Sequence, residues 1–147
     1  MLWLLRHAEA VDGIPDDERE LTERGIRQAT DAGRALQVLG ASIDACLCSP
    51  KLRAVQTAEL ACQALGVEVE TDRRLAGQPV DVDELITGRG SVLLVGHDPS
   101  FTLMVHDLTG AQARMKKGGL AGIAKGELIT LLRPTELSAI ASGVSVT

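Results

Sequence analysis

The chain has 147 residues, with 45% apolar and 24% charged side chains, a balance that fits one folded domain with its own core and excludes a disordered chain. One Trp, one Phe and no Tyr exclude base stacking on an aromatic platform and call for a core of Leu, Val, Ile and Ala. A formal net charge of −5 with no basic run excludes nucleic acid or anionic lipid as a partner held by bulk electrostatics, so any anion site has to be local.

In chain order, residues 2–5 form a continuous apolar run, predicted as a buried strand and too short for a signal peptide, with Arg6 ending it. Residues 8–20 are predicted as loop, broken by Asp12-Gly13, Pro15 and a cluster of acids. Thr22 is a helix N-cap signal, followed by Ile26, Ala29, Gly33, Leu36 and Leu39 at helical spacing and Gly40 at the stop. Residues 43–48 are a second strand. Ser49-Pro50 marks a switch into a helix, with Pro50 suited to its first position. That helix carries Leu52, Val55, Ala58, Cys62 and Leu65 as its apolar stripe and ends at Gly66.

Residues 67–70 alternate as a short strand and residues 81–86 suggest a short helix. Residues 91–95 are the clearest buried strand, and Gly96-His97-Asp98-Pro99 repeats the strand-to-helix switch. Ser100 is the expected cap of a helix ending before Gly110, and His106 falls on its surface. Residues 120–124 and 128–132 form a hairpin turned at Lys125-Gly126, and the Ser-rich tail 134–147 is expected to be loosely held. Alternating strands and helices predict one α/β domain over residues 1–147. Its expected architecture is a three-layer αβα sandwich, with a mostly parallel sheet and an antiparallel edge hairpin.

Cys46, Cys48 and Cys62 are odd in number and lack framework spacing, which predicts reduced thiols and a cytoplasmic location. A zinc site is the alternative. Cys46 and Cys48 share one strand face and Cys62 lies on a helix stripe, so buried small residues are the expected account. No stretch approaches the ~20 apolar residues of a membrane-spanning helix.

Ligands in open α/β sheets sit at the C-terminal ends of strands. Three such ends converge here: Arg6-His7, Ser49-Pro50 with Arg53 one turn on, and His97. Two imidazoles and two guanidiniums near a helix N-terminus suit a tetrahedral dianion. A neutral imidazole beside a phosphoryl group is a competent nucleophile, and neighbouring arginines help to keep it neutral. Positioning and charge neutralisation are most of what phosphoryl transfer needs, so no metal or cofactor is expected. The Arg114, Lys116 and Lys117 patch is read as a solvated loop that could meet an acidic partner near the pocket.

At these residues the sequence resembles the histidine phosphatase superfamily, the branch related to phosphoglycerate mutases. Leu4-Leu5-Arg6-His7 looks like its signature. Leu21-Thr22-Glu23-Arg24-Gly25, the run from Ser49-Pro50 through Arg53 to Ala58, and Gly96-His97-Asp98-Pro99 match later motifs in order. The short chain and the Arg-His-Ala-Glu opening resemble the phosphohistidine phosphatase, or SixA-type, branch. The resemblance implies His7 as the nucleophile, and Arg6, Arg53 and His97 as holders of the phosphoryl oxygens. It places Arg19 where a further phosphate-binding arginine stands, although a solvated charge among Asp16, Asp17, Glu18 and Glu20 is an equal reading.

Two departures stand out. Ala8 replaces the usual Gly after the His, and residues 73–78 lack the acid that protonates the leaving oxygen in mutases and many phosphomonoesterases. Asp81, Asp83, Glu9 and Glu18 are possible substitutes outside any motif. An alkoxide needs general acid help, typically ~10²–10⁴-fold, whereas transfer between two imidazoles is close to thermoneutral. A pocket without an acid or a lid therefore fits a protein phosphohistidine. The resemblance implies a phosphohistidine-bearing phosphotransfer protein of two-component signalling as partner. A small-molecule phosphomonoesterase and a non-catalytic phosphate-binding module are the alternative readings.

Overall fold

A strand that is apolar at every position has to be covered on both faces, because successive side chains point to opposite sides. In the computed structural model, which describes residues 1–143, β1 (Leu2–Arg6), β2 (Ala45–Cys48), β3 (Val69–Thr71) and β4 (Val92–Gly96) run parallel in the order β3-β2-β4-β1. The antiparallel pair β5 (Leu120–Ala124) and β6 (Glu127–Leu132) extends the sheet past β1. The hairpin turns at Lys125-Gly126, both at positive φ.

Among the described residues five α-helices cover the sheet: α1 (Glu23–Val38), α2 (Leu52–Leu65), α3 (Val82–Ile86), α4 (Ser100–Thr109) and α5 (Pro134–Ala141). Leu2, Leu4, Leu47, Val92 and Leu94 face α4 and α3, packing on Phe101, Met104, Val105 and Leu85. Trp3, Leu5, Cys46, Leu93 and Val95 point the other way, against α1, α2 and α5. The expected three-layer α/β architecture with a mostly parallel sheet is what the chain adopts. Small residues replace aromatics in its core because α1 and α2 lie very close. A Cβ on Gly33 would stand 2.2 Å from the carbonyl oxygen of Ala61, so only glycine fits there.

Several boundaries move for identifiable reasons. Pro50 stands outside α2, because the Ser49 hydroxyl accepts from the Lys51 amide at 3.2 Å and closes a turn before the helix begins. Ser100 is the first residue of α4 and not its cap. The side chain of Asp98 does that work, accepting from the Thr102 amide at 3.0 Å. The segment read as a loose tail forms α5 from Pro134, with Leu137 fully buried against the α1–α2 face. Pro134 at the first helical position and Glu136, which accepts from the Arg133 amide at 3.1 Å, start that helix. Residues 144–147 of the expected tail lie outside the described residues. Among the described residues, no helix is long and apolar enough to cross a membrane.

Strand register sets the site. Arg6 pairs with Gly96, and Val95 pairs with Cys48, so the C-terminal ends of β1, β4 and β2 lie side by side.

Candidate active site

The ladder continues one residue past the sheet on each side. The His7 amide donates to Gly96 at 2.9 Å, and the Ser49 amide donates to Val95 at 2.9 Å. His7 and His97 are thereby fixed with ring centroids 5.2 Å apart and planes tilted by 54°. Both are buried, as is Arg53 in the first turn of α2. Thr57, fully buried one turn later, locks these parts together. Its hydroxyl accepts from the Ala8 amide at 3.0 Å and donates to the Arg53 carbonyl at 2.7 Å.

The nucleophilic atom follows from hydrogen bonding. His7 Nδ1 lies 2.8 Å from the carbonyl oxygen of Ala8. A carbonyl only accepts, so the proton belongs on Nδ1 and Nε2 keeps its lone pair. Burial is the largest influence on His7 and drives its pKa down to about 4. The Ala8 hydrogen bond opposes that shift, while the charges of Arg53, Arg6 and Lys117 add to it. His97 is lowered to about 3, first by burial, then by His7, Arg53 and Lys51. Its Nε2 contacts the Ser49 hydroxyl at 2.8 Å. Both rings are neutral at pH 7.

The two arginines are held by their tips. Arg6 Nη1 donates to the Met115 carbonyl at 2.8 Å and lies 3.8 Å from Asp98. Arg53 donates through Nη1 to the Asp16 carbonyl at 2.9 Å and through Nη2 to the Asp16 carboxylate at 3.2 Å. The Nε of each is buried without a hydrogen-bond partner among the described residues. Two orphaned guanidinium donors at one pocket suit an oxyanion acceptor.

These side chains line a cavity of about 410 Å³ together with Arg19, Lys51, Lys117, Ala76, Gly77 and Asp98. Arg19, which the sequence left undecided, reaches the cavity wall but gives its Nε and Nη2 to Asp16 at 3.0 and 2.9 Å. Desolvation pushes the Asp16 carboxyl up, but hydrogen bonds and charge from Arg53 and Arg19 outweigh it and hold the group below the usual carboxylate range. Lys51 and Lys117 were not singled out for the site from sequence. Lys51 lies inside the third motif, the run from Ser49 to Ala58, and Lys117 inside the basic patch, the only signals either gives.

The four possible substitutes for the missing acid are elsewhere. Asp81 and Asp83 line a separate cavity beside Met104. Glu9 accepts from the Thr22 hydroxyl at 2.8 Å, and Glu18 ends a short 3-10 turn, Asp16–Glu18. Residues 73–78 contribute only Ala76 and Gly77 to the wall. Asp98 is the carboxylate of the lining, and both its oxygens accept from Thr102, at 3.0 Å from its amide and 3.0 Å from its hydroxyl. His106 is exposed on α4, away from the pocket. Cys46, Cys48 and Cys62 are free and buried. Burial, then Cys62 and Glu59, pushes the Cys48 thiol up to about 12.

A family model for the histidine phosphatase superfamily, branch 1, matches residues 2–80. The chain belongs to that superfamily. Its structure superposes with a TM-score of 0.81 on the protein histidine phosphatase SixA complexed with tungstate, at 24% identity over 92% of this chain and 98% of that one, which is a shared fold. A protein from Agrobacterium tumefaciens assigned as the phosphohistidine phosphatase SixA superposes with a TM-score of 0.80 at 26% identity, covering 90% and 97% of the two chains. An uncharacterized protein of Mycobacterium tuberculosis (strain ATCC 25618 / H37Rv) is 40% identical over 103 residues, or 65% of this chain and 64% of that relative's length. In this superfamily member, His7, His97, Arg6 and Arg53 meet at the sheet's C-terminal edge, and Arg19 completes the rim.

Proposed function

We propose that residues 1–147 form a single phosphatase domain that removes the phosphoryl group from a protein phosphohistidine. The observation that carries this reading is the makeup of the pocket. A neutral imidazole with a free Nε2 stands among five cationic side chains, and the one carboxylate of the lining, Asp98, accepts from Thr102 at both oxygens and lies 3.8 Å from Arg6.

The Nε2 lone pair of His7 attacks phosphorus while the bond from phosphorus to the substrate imidazole breaks. The substrate ring leaves neutral, retaining the proton on its other nitrogen. His7 becomes the matching N-phosphorylated ring, its Nδ1 proton still donated to Ala8. One P–N bond replaces another, so the step is near thermoneutral and needs no general acid. Arg6, Arg53, Arg19 and His97 hold the phosphoryl oxygens, and displacement of Asp16 by phosphate frees Arg53 and Arg19 to do so. Water then attacks phosphorus, the P–N bond breaks, the water's protons stay with the released phosphate, and His7 returns neutral. Likeness to SixA with bound tungstate, a tetrahedral oxyanion, supports an oxyanion pocket. By the family resemblance of its motifs the substrate is a phosphotransfer protein of a two-component relay, and the three free cysteines fit an enzyme that works in the cytoplasm.

Asp98 favours the second reading, a small-molecule phosphomonoesterase, because it is a carboxylate at the pocket wall. The two readings separate in a comparison of kcat/KM on a phosphohistidine-bearing phosphotransfer protein and on an alkyl phosphate. The proposal expects the phosphoprotein to be turned over faster. Faster turnover of the alkyl phosphate overturns it, and tight phosphate binding without turnover of either supports a binding module.

A further inference from the structure

A second depression of about 600 Å³ lies between α1 and the start of α5. Arg24 and Arg27 of α1, Lys116 and Lys117 of the loop before β5, and Arg133 line it. Lys117 also lines the His7 pocket, so the groove and the pocket share a wall. Arg24, Arg27 and Asp31 share one face of α1, at positions i, i+3 and i+7. From residue 24 to 31 the helix runs about 10 Å, the length of roughly three extended residues.

The charge there is unusual for this chain. Arg133 pairs with Glu136 at 2.8 Å, and Asp31 is the one acid of the lining. Arg24, Arg27, Lys116 and Lys117 are exposed and form no ion pair among the described residues. A protein of net charge −5 thus gathers four unpaired cations beside its candidate active site. Like charges so placed repel, and Asp31 alone in the lining opposes them. The lysines are also held in place. The Gly118 amide donates to the carbonyls of Arg6 and His7 at 3.1 and 3.0 Å. A Cβ on Gly118 would meet the Gln28 side chain at 3.1 Å and Pro134 at 3.3 Å, so the loop is clamped between both walls.

We propose that this groove docks an acidic stretch of the phosphoprotein substrate, flanking the phosphohistidine that enters the His7 pocket. The inference rests on the phosphohistidine reading above. The cations are spread along a groove and are exposed, a pattern that matches a charged polypeptide and not a single phosphate ion, which would draw its donors to one point.

The test uses two phosphohistidine peptides, one flanked on both sides by Glu and one by Gln, with phosphoramidate as a small substrate. Wild type is compared with Arg24→Glu/Arg27→Glu, neither residue lining the His7 pocket. Wild type is expected to favour the Glu peptide in kcat/KM by about tenfold at low ionic strength, fading as salt is raised. The double variant loses the preference and keeps its rate on phosphoramidate. Equal rates on the two peptides in wild type, or a preference that survives in the variant, overturn the proposal. If the variant also loses phosphoramidate activity, Arg24→Gln/Arg27→Gln decides by the same criteria. Anisotropy of the labelled, unphosphorylated Glu peptide separates docking from chemistry. Binding that is lost in the variant, with no peptide turned over, keeps the groove and overturns the catalytic reading. No binding to wild type overturns the groove.

Discussion

Acidification should destabilise this protein through its two central imidazoles. Their pKa values are about 4 for His7 and about 3 for His97, against 6.5 for an ordinary histidine. Because the folded values are depressed, the unfolded chain takes up these protons first. Stability is therefore complete above pH 6.5 and falls as pH drops from 6.5 toward 4 and then 3. Within that window each ring is bare when folded and protonated when unfolded, a slope of about 1.4 kcal/mol per pH unit for each site. By pH 4 either ring alone accounts for about 3 kcal/mol. The pair amounts to less than twice that, since part of the His97 shift is repulsion from a charged His7. Against a typical domain stability of about 5–15 kcal/mol, this is a large loss. Urea unfolding between pH 7 and 4.5 would compare wild type with His7→Gln/His97→Gln. Wild-type stability should fall faster than the variant's by about 2 kcal/mol per pH unit near pH 5, carboxylate contributions cancelling in the difference. Parallel pH profiles would refute the buried, neutral state of the two rings and the nucleophile argument built on it.

Other expectations follow from single contacts. Arg53→Lys keeps the charge but loses the planar fork, and phosphate-release assays should show kcat/KM lower by about 10²-fold or more; near wild-type turnover would mean that charge alone suffices. Asp16→Asn removes an anion that competes for Arg53 and Arg19, so calorimetry should find inorganic phosphate bound severalfold more tightly, whereas weaker binding would make Asp16 the residue that positions the arginines. Leu137→Ala should cost about 2–5 kcal/mol in chemical denaturation, because that side chain is fully buried. No change would mean that α5 contributes nothing to the core.

The parts of this molecule legible in its sequence are those set by short-range rules. Apolar runs on both faces gave away β1 and β4, and Thr22 and Gly110 marked helix ends by capping chemistry. Arg6, His7, Arg53 and His97 were legible because strand ends in such a sheet converge: register brings Arg6, His7 and His97 together, and Arg53 follows in the first turn of the helix after β2. What stayed hidden depends on contacts between distant segments. Asp16 looked like one acid among several, yet its carboxylate bridges Arg19, Arg53 and Lys51 across the loop. Thr57 looked like an ordinary helix residue, yet it ties the backbone after His7 to α2. Leu137 sat in a Ser-rich stretch whose composition masked one deeply buried anchor.

The most direct test of the account is the site of phosphorylation during turnover. Wild-type protein would be mixed with a phosphohistidine-bearing phosphotransfer protein, quenched into alkali within milliseconds, and mapped by peptide mass spectrometry. The account predicts one phosphoryl group on the peptide containing His7, and neither that group nor phosphate release in His7→Ala. A phosphoryl group on another residue, or phosphate release by His7→Ala at the wild-type rate, would contradict it.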